Sequence, residues 1–374
     1  MISFRKVQKK DLNLLLVSLD YPPNDGGISR ISGDIIRSLV TKGYLTSVLT
    51  FSTSQNNASK RPNADYLNIS KLKGLRDLQL IYNVFKVGRE KRILATVWNP
   101  GATLAMLAGA KRVSILVHGT EILEYNDKPF RSWLRRIVLE RANHVICNSK
   151  FNEKLVNKIA PKAKTYVINP GINLERFKVS SEKNKIRQKL NLPLDKKILL
   201  TVSRLVESKD HATVLKAISL LSDYQRSKIL YVIIGKGLML KKLMTLTREL
   251  KIVDQVRYVG FQDDSLPLWY QASDLFVLTS SGVEGFGITF IEAQASGVAV
   301  IGTRCGGIPD AVCEGEGGWL INEKDTLALA SHLKKLITNP ELIEEQGKLG
   351  LARVKREFNL DNYTSKLIEL IFKG

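Results

Sequence analysis

The chain has 374 residues, 44% of them hydrophobic and 25% charged, a balance expected of a globular protein long enough for two cores rather than one. Its net charge of +21 is uneven: residues 1–170 carry 28 Lys and Arg against 12 Asp and Glu, and the remainder carries 29 against 24. Cys147, Cys305 and Cys313 form no CxxC pair and have no His at metal spacing. That argues against a disulfide scaffold or a zinc site and for a reducing, cytoplasmic compartment.

A basic start followed by the apolar run 12–19 has the layout of a signal peptide. The run is short, lacks a small-residue cleavage site and ends in Asp20-Tyr21-Pro22-Pro23, so it predicts a first buried strand. No stretch approaches the length of a membrane span. Apolar runs at 14–18, 47–51, 93–98, 113–118, 145–148 and 166–168 alternate with helical patterns, the first of them the amphipathic stretch 28–42. A second series restarts at 198–203 and continues at 230–234, 256–259, 275–279 and 298–302. Short apolar strands separated by longer periodic segments predict parallel βαβ units. Two such series predict an α/β protein of two doubly wound domains, residues 1–175 and 176–359, with the boundary in the charged region that follows Asn169-Pro170-Gly171. A C-terminal helix, about residues 360–374, carries Leu367, Ile368, Leu370 and Ile371 on one face. That face needs an apolar surface, for which the first domain is the candidate.

Ligands of such folds bind beyond the carboxyl ends of the strands, so the residues that leave each strand carry the functional signal. After the first strand come Gly26 and Gly27, where the backbone can approach a phosphate or a sugar, although a plain turn explains them as well. Neither GxGxxG nor GxxxxGK[ST] is present there. His118 ends a strand in a Gly turn; a lone His is more often structural. Arg204 and Lys209 share the loop after the first strand of the second series, a fork and a mobile point charge suited to a diphosphate or simply two solvated cations. Gly235 follows the next strand and is a weak candidate for a turn beneath a nucleobase; Phe261 follows the one after, where the backbone could read a base edge. The Gly-rich loop 302–310 is expected to shape a pocket wall.

The most specific pattern is Glu284-Gly285-Phe286-Gly287-Ile288-Thr289, continued by Phe290-Ile291-Glu292. It reads as strand, tight loop and new helix beginning near Ile288. The unpaired N–H groups of a helix start make an anion site. Glu284 in the loop and Glu292 one turn into the helix are placed to accept hydrogen bonds from sugar hydroxyls. Phosphate and polyol together point to a nucleotide sugar.

In this order, the Gly26-Gly27 loop, His118-Gly119, Arg204 with Lys209, and Glu284 with Glu292 resemble the GT-B glycosyltransferases of family GT4, over nearly the whole chain. The opening loop is similar to bacterial mannosyl- and hexosyltransferases that act on lipid acceptors. The resemblance implies two Rossmann-like domains facing across a cleft, an acceptor-binding first and a donor-binding second, and a retaining transfer of a hexose from GDP-mannose, UDP-glucose or UDP-GlcNAc. It implies that Arg204, Lys209 and the N–H groups of Ile288 and Thr289 neutralise the leaving diphosphate and that Glu284 holds the donor sugar. Glu292 would take the ribose hydroxyls, His118 the C6 side of the sugar and Gly27 the donor phosphates. Phe286 and Gly287 would shape the donor loop. No Asp-x-Asp occurs, so neither metal nor cofactor is expected. Where many relatives have Pro-His-Gly this chain has Asn169-Pro170-Gly171, which leaves no second histidine in that role.

The basic first half suggests peripheral attachment to anionic lipid, on the inner face of the cell membrane, and a lipid-linked or cell-envelope glycan as acceptor. Residues 129–139 and 72–92 are its amphipathic candidates; core packing explains both as well. Nucleic acid is not expected as a partner, because no zinc pattern or aromatic RNA-binding stretch accompanies the charge. A GT-B-like phosphorylase or epimerase is the alternative enzyme.

Overall fold

The computed structural model describes residues 13–22, 26–51, 64–88, 91–119, 121–123 and 128–373. The chain forms two compact units, Met1–Gly171 with Leu360–Gly374, and Ile172–Asn359.

The first unit is built on a seven-stranded sheet of order β3-β2-β1-β4-β5-β6-β7, every pair parallel. Its strands are β1 (Asn13–Val17), β2 (Leu45–Phe51), β3 (Asp65–Ile69), β4 (Arg92–Ala95), β5 (Val113–Val117), β6 (His144–Cys147) and β7 (Thr165–Val167). Its helices are α1 (Gly27–Thr41), α2 (Lys73–Asn83), α3 (Thr103–Leu107), α4 (Pro129–Arg141) and α5 (Lys150–Ile159). β1 reads as continuous Leu and Val because a central parallel strand is covered on both faces, and residues 14–17 are all buried. The order reverses between β1 and β4, the switch point of a doubly wound sheet. β3 was not expected from the sequence: DYLNI is an edge strand, half exposed and without a buried run to announce it.

The second unit has a six-stranded parallel sheet of order β10-β9-β8-β11-β12-β13. The strands are β8 (Lys197–Val202), β9 (Ile229–Ile234), β10 (Val256–Gly260), β11 (Leu275–Leu278), β12 (Ala299–Thr303) and β13 (Gly318–Ile321). Helices α6 (Lys183–Lys189), α7 (His211–Ser219), α8 (Asp223–Ser227), α9 (Leu240–Glu249), α10 (Leu266–Ala272), α11 (Ile288–Ala295), α12 (Ile308–Ala311), α13 (Thr326–Thr338) and α14 (Pro340–Glu357) surround it. β13, a four-residue edge strand, is the second element the sequence pattern did not announce. Ile172 pairs with Asn359, and its N–H donates to the Phe358 carbonyl at 2.8 Å, so the second unit begins and ends side by side.

The last helix, α15 (Leu360–Lys373), belongs to the first unit. Its buried Leu367 and Ile371 form the apolar face, and Ser38 Oγ of α1 lies 2.8 Å from Thr364 Oγ1. Lys42 Nζ donates to the Asp361 carbonyl, Thr364 and Ser365 at 3.0–3.1 Å. In α4 Val138 and Leu139 are buried while Trp133 is exposed. In the amphipathic pattern of residues 129–139, Trp133 shares the side of Leu134, Ile137 and Val138, with Arg131, Arg135 and Arg136 around it. Here Arg135 turns inward, its guanidinium 6.0 Å from the Trp98 ring centroid, a distance at which cation–π attraction offsets part of its burial cost. No helix among the described residues is long and apolar enough to cross a membrane.

Candidate active site

In the second unit, three loops that leave β8, β11 and β12 at their carboxyl ends are tied together around Glu284. The Ser281 N–H donates to the Ser208 carbonyl at 2.9 Å, and Thr279 Oγ1 to the Asp210 carbonyl at 2.8 Å, joining the β8 and β11 loops. The Gly307 N–H donates to the Glu284 carbonyl at 2.8 Å and Thr303 Oγ1 to the Ser280 carbonyl at 2.6 Å, joining β11 to β12. Within this frame the Lys209 ammonium pairs with the Glu284 carboxylate, both side chains mostly buried, and Ser280 Oγ donates to the same oxygen at 3.3 Å. Arg204 is exposed in the β8 loop, and no ion pair is described for it.

Gly287 caps α11 with φ +92°, a conformation glycine adopts without strain, and a Cβ there would lie 2.7 Å from Phe290 Cδ2. α11 therefore starts abruptly after the Glu284 loop, with the N–H groups of Ile288 and Thr289 in its first turn, where no intrahelical acceptor exists. Phe286 is buried edge-on to Phe358, a wall rather than an open contact. Glu292 lies deeper than the rim position read from the sequence: it is 1% exposed, and its carboxylate accepts from Tyr270 Oη at 2.8 Å. The cause is α11 itself, which is buried on all sides from Phe290 to Ala295.

Gly235 has φ +150°, and a Cβ would stand 1.8 Å from the Ser203 carbonyl oxygen, so this glycine lets the β9 loop lie against the loop that carries Arg204. Its N–H donates to the Gly260 carbonyl at 2.9 Å, and the Lys236 ammonium sits 4.6 Å from the ring centroid of the exposed Phe261. The structure thus brings Gly235 and Phe261 into neighbouring loops beside the Lys209–Glu284 pair's own β8 loop.

In the first unit, His118 follows β5. Its N–H donates to Glu121 Oε1 at 2.5 Å and its carbonyl accepts from Asn148 Nδ2 at 3.3 Å. Burial lowers its pKa, against the opposing pull of Glu121, the Thr96 carbonyl and Asp20, so the ring is neutral near pH 7. Nε2 is buried with no hydrogen-bond partner among the described residues. Gly26 stands at the N-terminus of α1 with φ +134°, and Gly27 is the first residue of the helix. Residues 23–25 of the same loop lie outside the described residues.

Two residues had no sequence signal. His211 Nε2 lies 3.0 Å from Ser203 Oγ, which ties the two ends of the Arg204–Lys209 loop together; burial, with the Lys209 charge adding to it, lowers this histidine to about 4. Tyr270 is fixed against Glu292 from 22 positions away, a pairing only the packing of α10 on the sheet creates.

Two family models match the chain: Glycosyltransferase Family 4 over residues 25–176 and Glycosyl transferases group 1 over residues 182–351. A GDP-mannose-dependent alpha-(1-6)-phosphatidylinositol monomannoside mannosyltransferase of Mycobacterium tuberculosis is 26% identical, covering 96% of this chain and 97% of its own. A D-inositol 3-phosphate glycosyltransferase of Streptomyces avermitilis is 33% identical over 61% of this chain and 51% of its own. Among solved structures, Anabaena HepE in complex with UDP superposes with TM-score 0.82 over 97% of this chain and all of its own, at 21% identity, and HepE was also solved with UDP-glucose. Matching models along both halves, two parallel sheets of this order and the clustered loops lead to one conclusion: the chain belongs to the GT-B glycosyltransferases of family GT4 and is a hexosyltransferase.

Proposed function

We propose that the enzyme transfers a hexose, with retention, from a nucleoside diphosphate sugar to a lipid-linked or cell-envelope glycan acceptor, without a divalent metal. The reading rests first on the convergence of Lys209, Glu284 and the start of α11 on one group of loops. A cation, a carboxylate and free amide dipoles are the groups needed for a departing diphosphate and a hydroxylated sugar. In the reaction the bond from sugar C1 to the diphosphate oxygen breaks while a bond from C1 to the acceptor oxygen forms on the same face. The acceptor proton passes to a donor phosphate oxygen, so no protein base is required. Arg204, Lys209 and the Ile288 and Thr289 N–H groups offset the charge on the departing diphosphate. Glu284 holds the sugar hydroxyls and steadies the positive centre at C1. Glu292, itself held by Tyr270, is assigned to the ribose, His118 Nε2 to a hydroxyl on the C6 side, and Gly27 to the phosphates.

GDP-mannose is the proposed donor, favoured by the GDP-mannose dependence of the mycobacterial relative; UDP-glucose and UDP-GlcNAc are the competitors. A lipid-linked acceptor is supported by the surface of α2. Leu72, Leu75, Leu78, Tyr82 and Phe85 form one exposed apolar stripe, with Leu72 71% and Leu78 67% exposed, while Leu80 and Val84 fill the core behind it. Lys71, Lys73 and Lys86 flank the stripe, the pattern of a helix that lies on an anionic bilayer, where each near-surface cation contributes about 1 kcal/mol.

Melting the protein against GDP-mannose, UDP-glucose and UDP-GlcNAc, then assaying released nucleotide, tests the donor; stabilisation by none of them would end this reading. Co-sedimentation with anionic and neutral vesicles tests the membrane contact. Binding to anionic vesicles should fall on Leu75→Ser with Leu78→Ser, and equal pelleting with both vesicle types at low salt counts against it.

A further inference from the structure

The first unit carries a polar cavity at the end of its sheet remote from His118. It opens where β4–β7 begin and has a volume of about 410 Å³, within the roughly 300–1,000 Å³ of small-molecule sites. Arg92, Arg112, Asn143, His144, Lys164 and Tyr166 line it, together with Ser114 and the end of α15, and no carboxylate is among the lining residues. No ion pair or side-chain hydrogen bond is described for Arg112 or Lys164. Two uncompensated cations facing one concavity repel each other and gain from a shared anion.

The remaining walls are fixed. His144 is 9% exposed, its Nδ1 lies 3.0 Å from Ser114 Oγ and its ring stands edge-on to Tyr166. Burial and the Lys164 charge lower its pKa, so the ring is neutral; the tautomer in which Nδ1 accepts from Ser114 carries its proton on Nε2 and would supply a further donor. Arg92 is held by the Ile371 and Phe372 carbonyls at 2.9 and 3.2 Å, and so closes the cavity against α15.

We infer that this cavity binds a phosphomonoester dianion through Arg112, Lys164 and His144, at a site separate from the one that takes the sugar donor. The dianion could belong to a soluble ester or to a lipid headgroup. In both, three acceptor oxygens meet two cations and one imidazole donor.

The test uses the full chain carrying Arg204→Ala with Lys209→Ala, which weakens phosphate binding at the donor loops, and compares it with the same chain altered at the cavity. Inorganic phosphate and glycerol 3-phosphate are titrated calorimetrically while the His144 ring proton is followed by NMR, and pelleting is measured with phosphatidic acid and phosphatidylcholine vesicles. Binding that shifts the His144 signal and weakens by about tenfold or more in Arg112→Ser with Lys164→Ser, at unchanged melting temperature, supports the site. If the soluble esters bind in this way, the ligand is a free phosphomonoester; if only phosphatidic acid does, it is a headgroup. If neither the soluble phosphates nor the vesicles distinguish the double variant from its parent, the inference is overturned. Arg112→Lys, which keeps the charge, should retain most of the binding.

Discussion

Lys209 and Glu284 stand 75 positions apart and meet as an ion pair between the loops that leave β8 and β11. Each partners the other in a mostly buried setting. In the proposed reaction a donor whose diphosphate approaches the ammonium and whose sugar approaches the carboxylate would draw the two apart, the substrate replacing each partner.

Lys209→Ala and Glu284→Gln should therefore each lower kcat by about 10²–10³, the range for a lost charge-stabilising group. Because the groups act as a unit, the double variant should lose far less than the product of the single losses. Steady-state rates with circular dichroism as a folding control measure this; near-normal turnover in either single variant would remove its assigned role.

Gly235→Ala tests the glycine contact. A Cβ placed 1.8 Å from the Ser203 carbonyl oxygen must displace the loop that carries Arg204. Overpacking of this kind costs about 1–3 kcal/mol. We expect the donor KM to rise more than kcat falls, since the defect lies in a binding loop; unchanged donor affinity would mean the two loops move independently.

Asp274 contributes to the acid stability of the second unit. Burial by itself would raise its carboxyl, but Lys183 at 2.8 Å, Arg187 at 2.5 Å and the Ile198 N–H at 2.6 Å hold it below the ordinary carboxylate range. A carboxylate depressed in the folded state adds stability that is complete above its unfolded value, about 3.9, and is lost as pH falls through the lower folded value. The Asp274 contribution, read as the difference in urea midpoint between wild type and Asp274→Asn, should therefore hold from pH 7 to about 4.5 and fall away below about 4. It sits on top of a decline from about pH 6.5 downward caused by buried His211, whose folded value is about 4. Removing the partner of buried Arg187 in Asp274→Asn costs about 3–5 kcal/mol at pH 7.

Thiol reactivity separates the three cysteines. Burial pushes Cys305 up to about 12, with Glu323 and Glu284 acting the same way, and also raises Cys147. At pH 8 a thiol of that acidity is about one part in 10⁴ thiolate. Cys313, only partly buried, should be the single residue labelled by a thiol reagent in the native protein, with two more reacting after denaturation. Prompt labelling of all three would contradict the packing of β6 and of the β12 loop.

Much of the fold was legible in residue order. Alternating buried runs and helical stretches announce βαβ units, and a continuous Leu-Leu-Leu-Val run such as β1 belongs to a parallel sheet covered on both faces. β3 escaped because this edge strand is half solvated and carries no such run, and β13 because its buried stretch is only four residues long and begins with a glycine. The start of α11 after Gly287 was legible too, since a Gly-Phe-Gly corner before an apolar run is a local signal, and Gly287 takes φ +92° there. Spacing could not tell that Glu292 is enclosed and held by Tyr270, that His211 ties the loop of Arg204 and Lys209, or that Arg135 turns toward Trp98.

The sequence by itself determined the α/β class, the two series of strands and the family motif, because each is written in the periodicity of adjacent residues and in glycines with local backbone duties. Only the tertiary structure decided which side chains meet. The pairing of Lys209 with Glu284, the docking of α15 on α1 and the basic cavity at the start of β4–β7 all join residues from separate strands or chain ends. Their distances are set by the order of strands in a sheet, which no neighbour-to-neighbour pattern encodes.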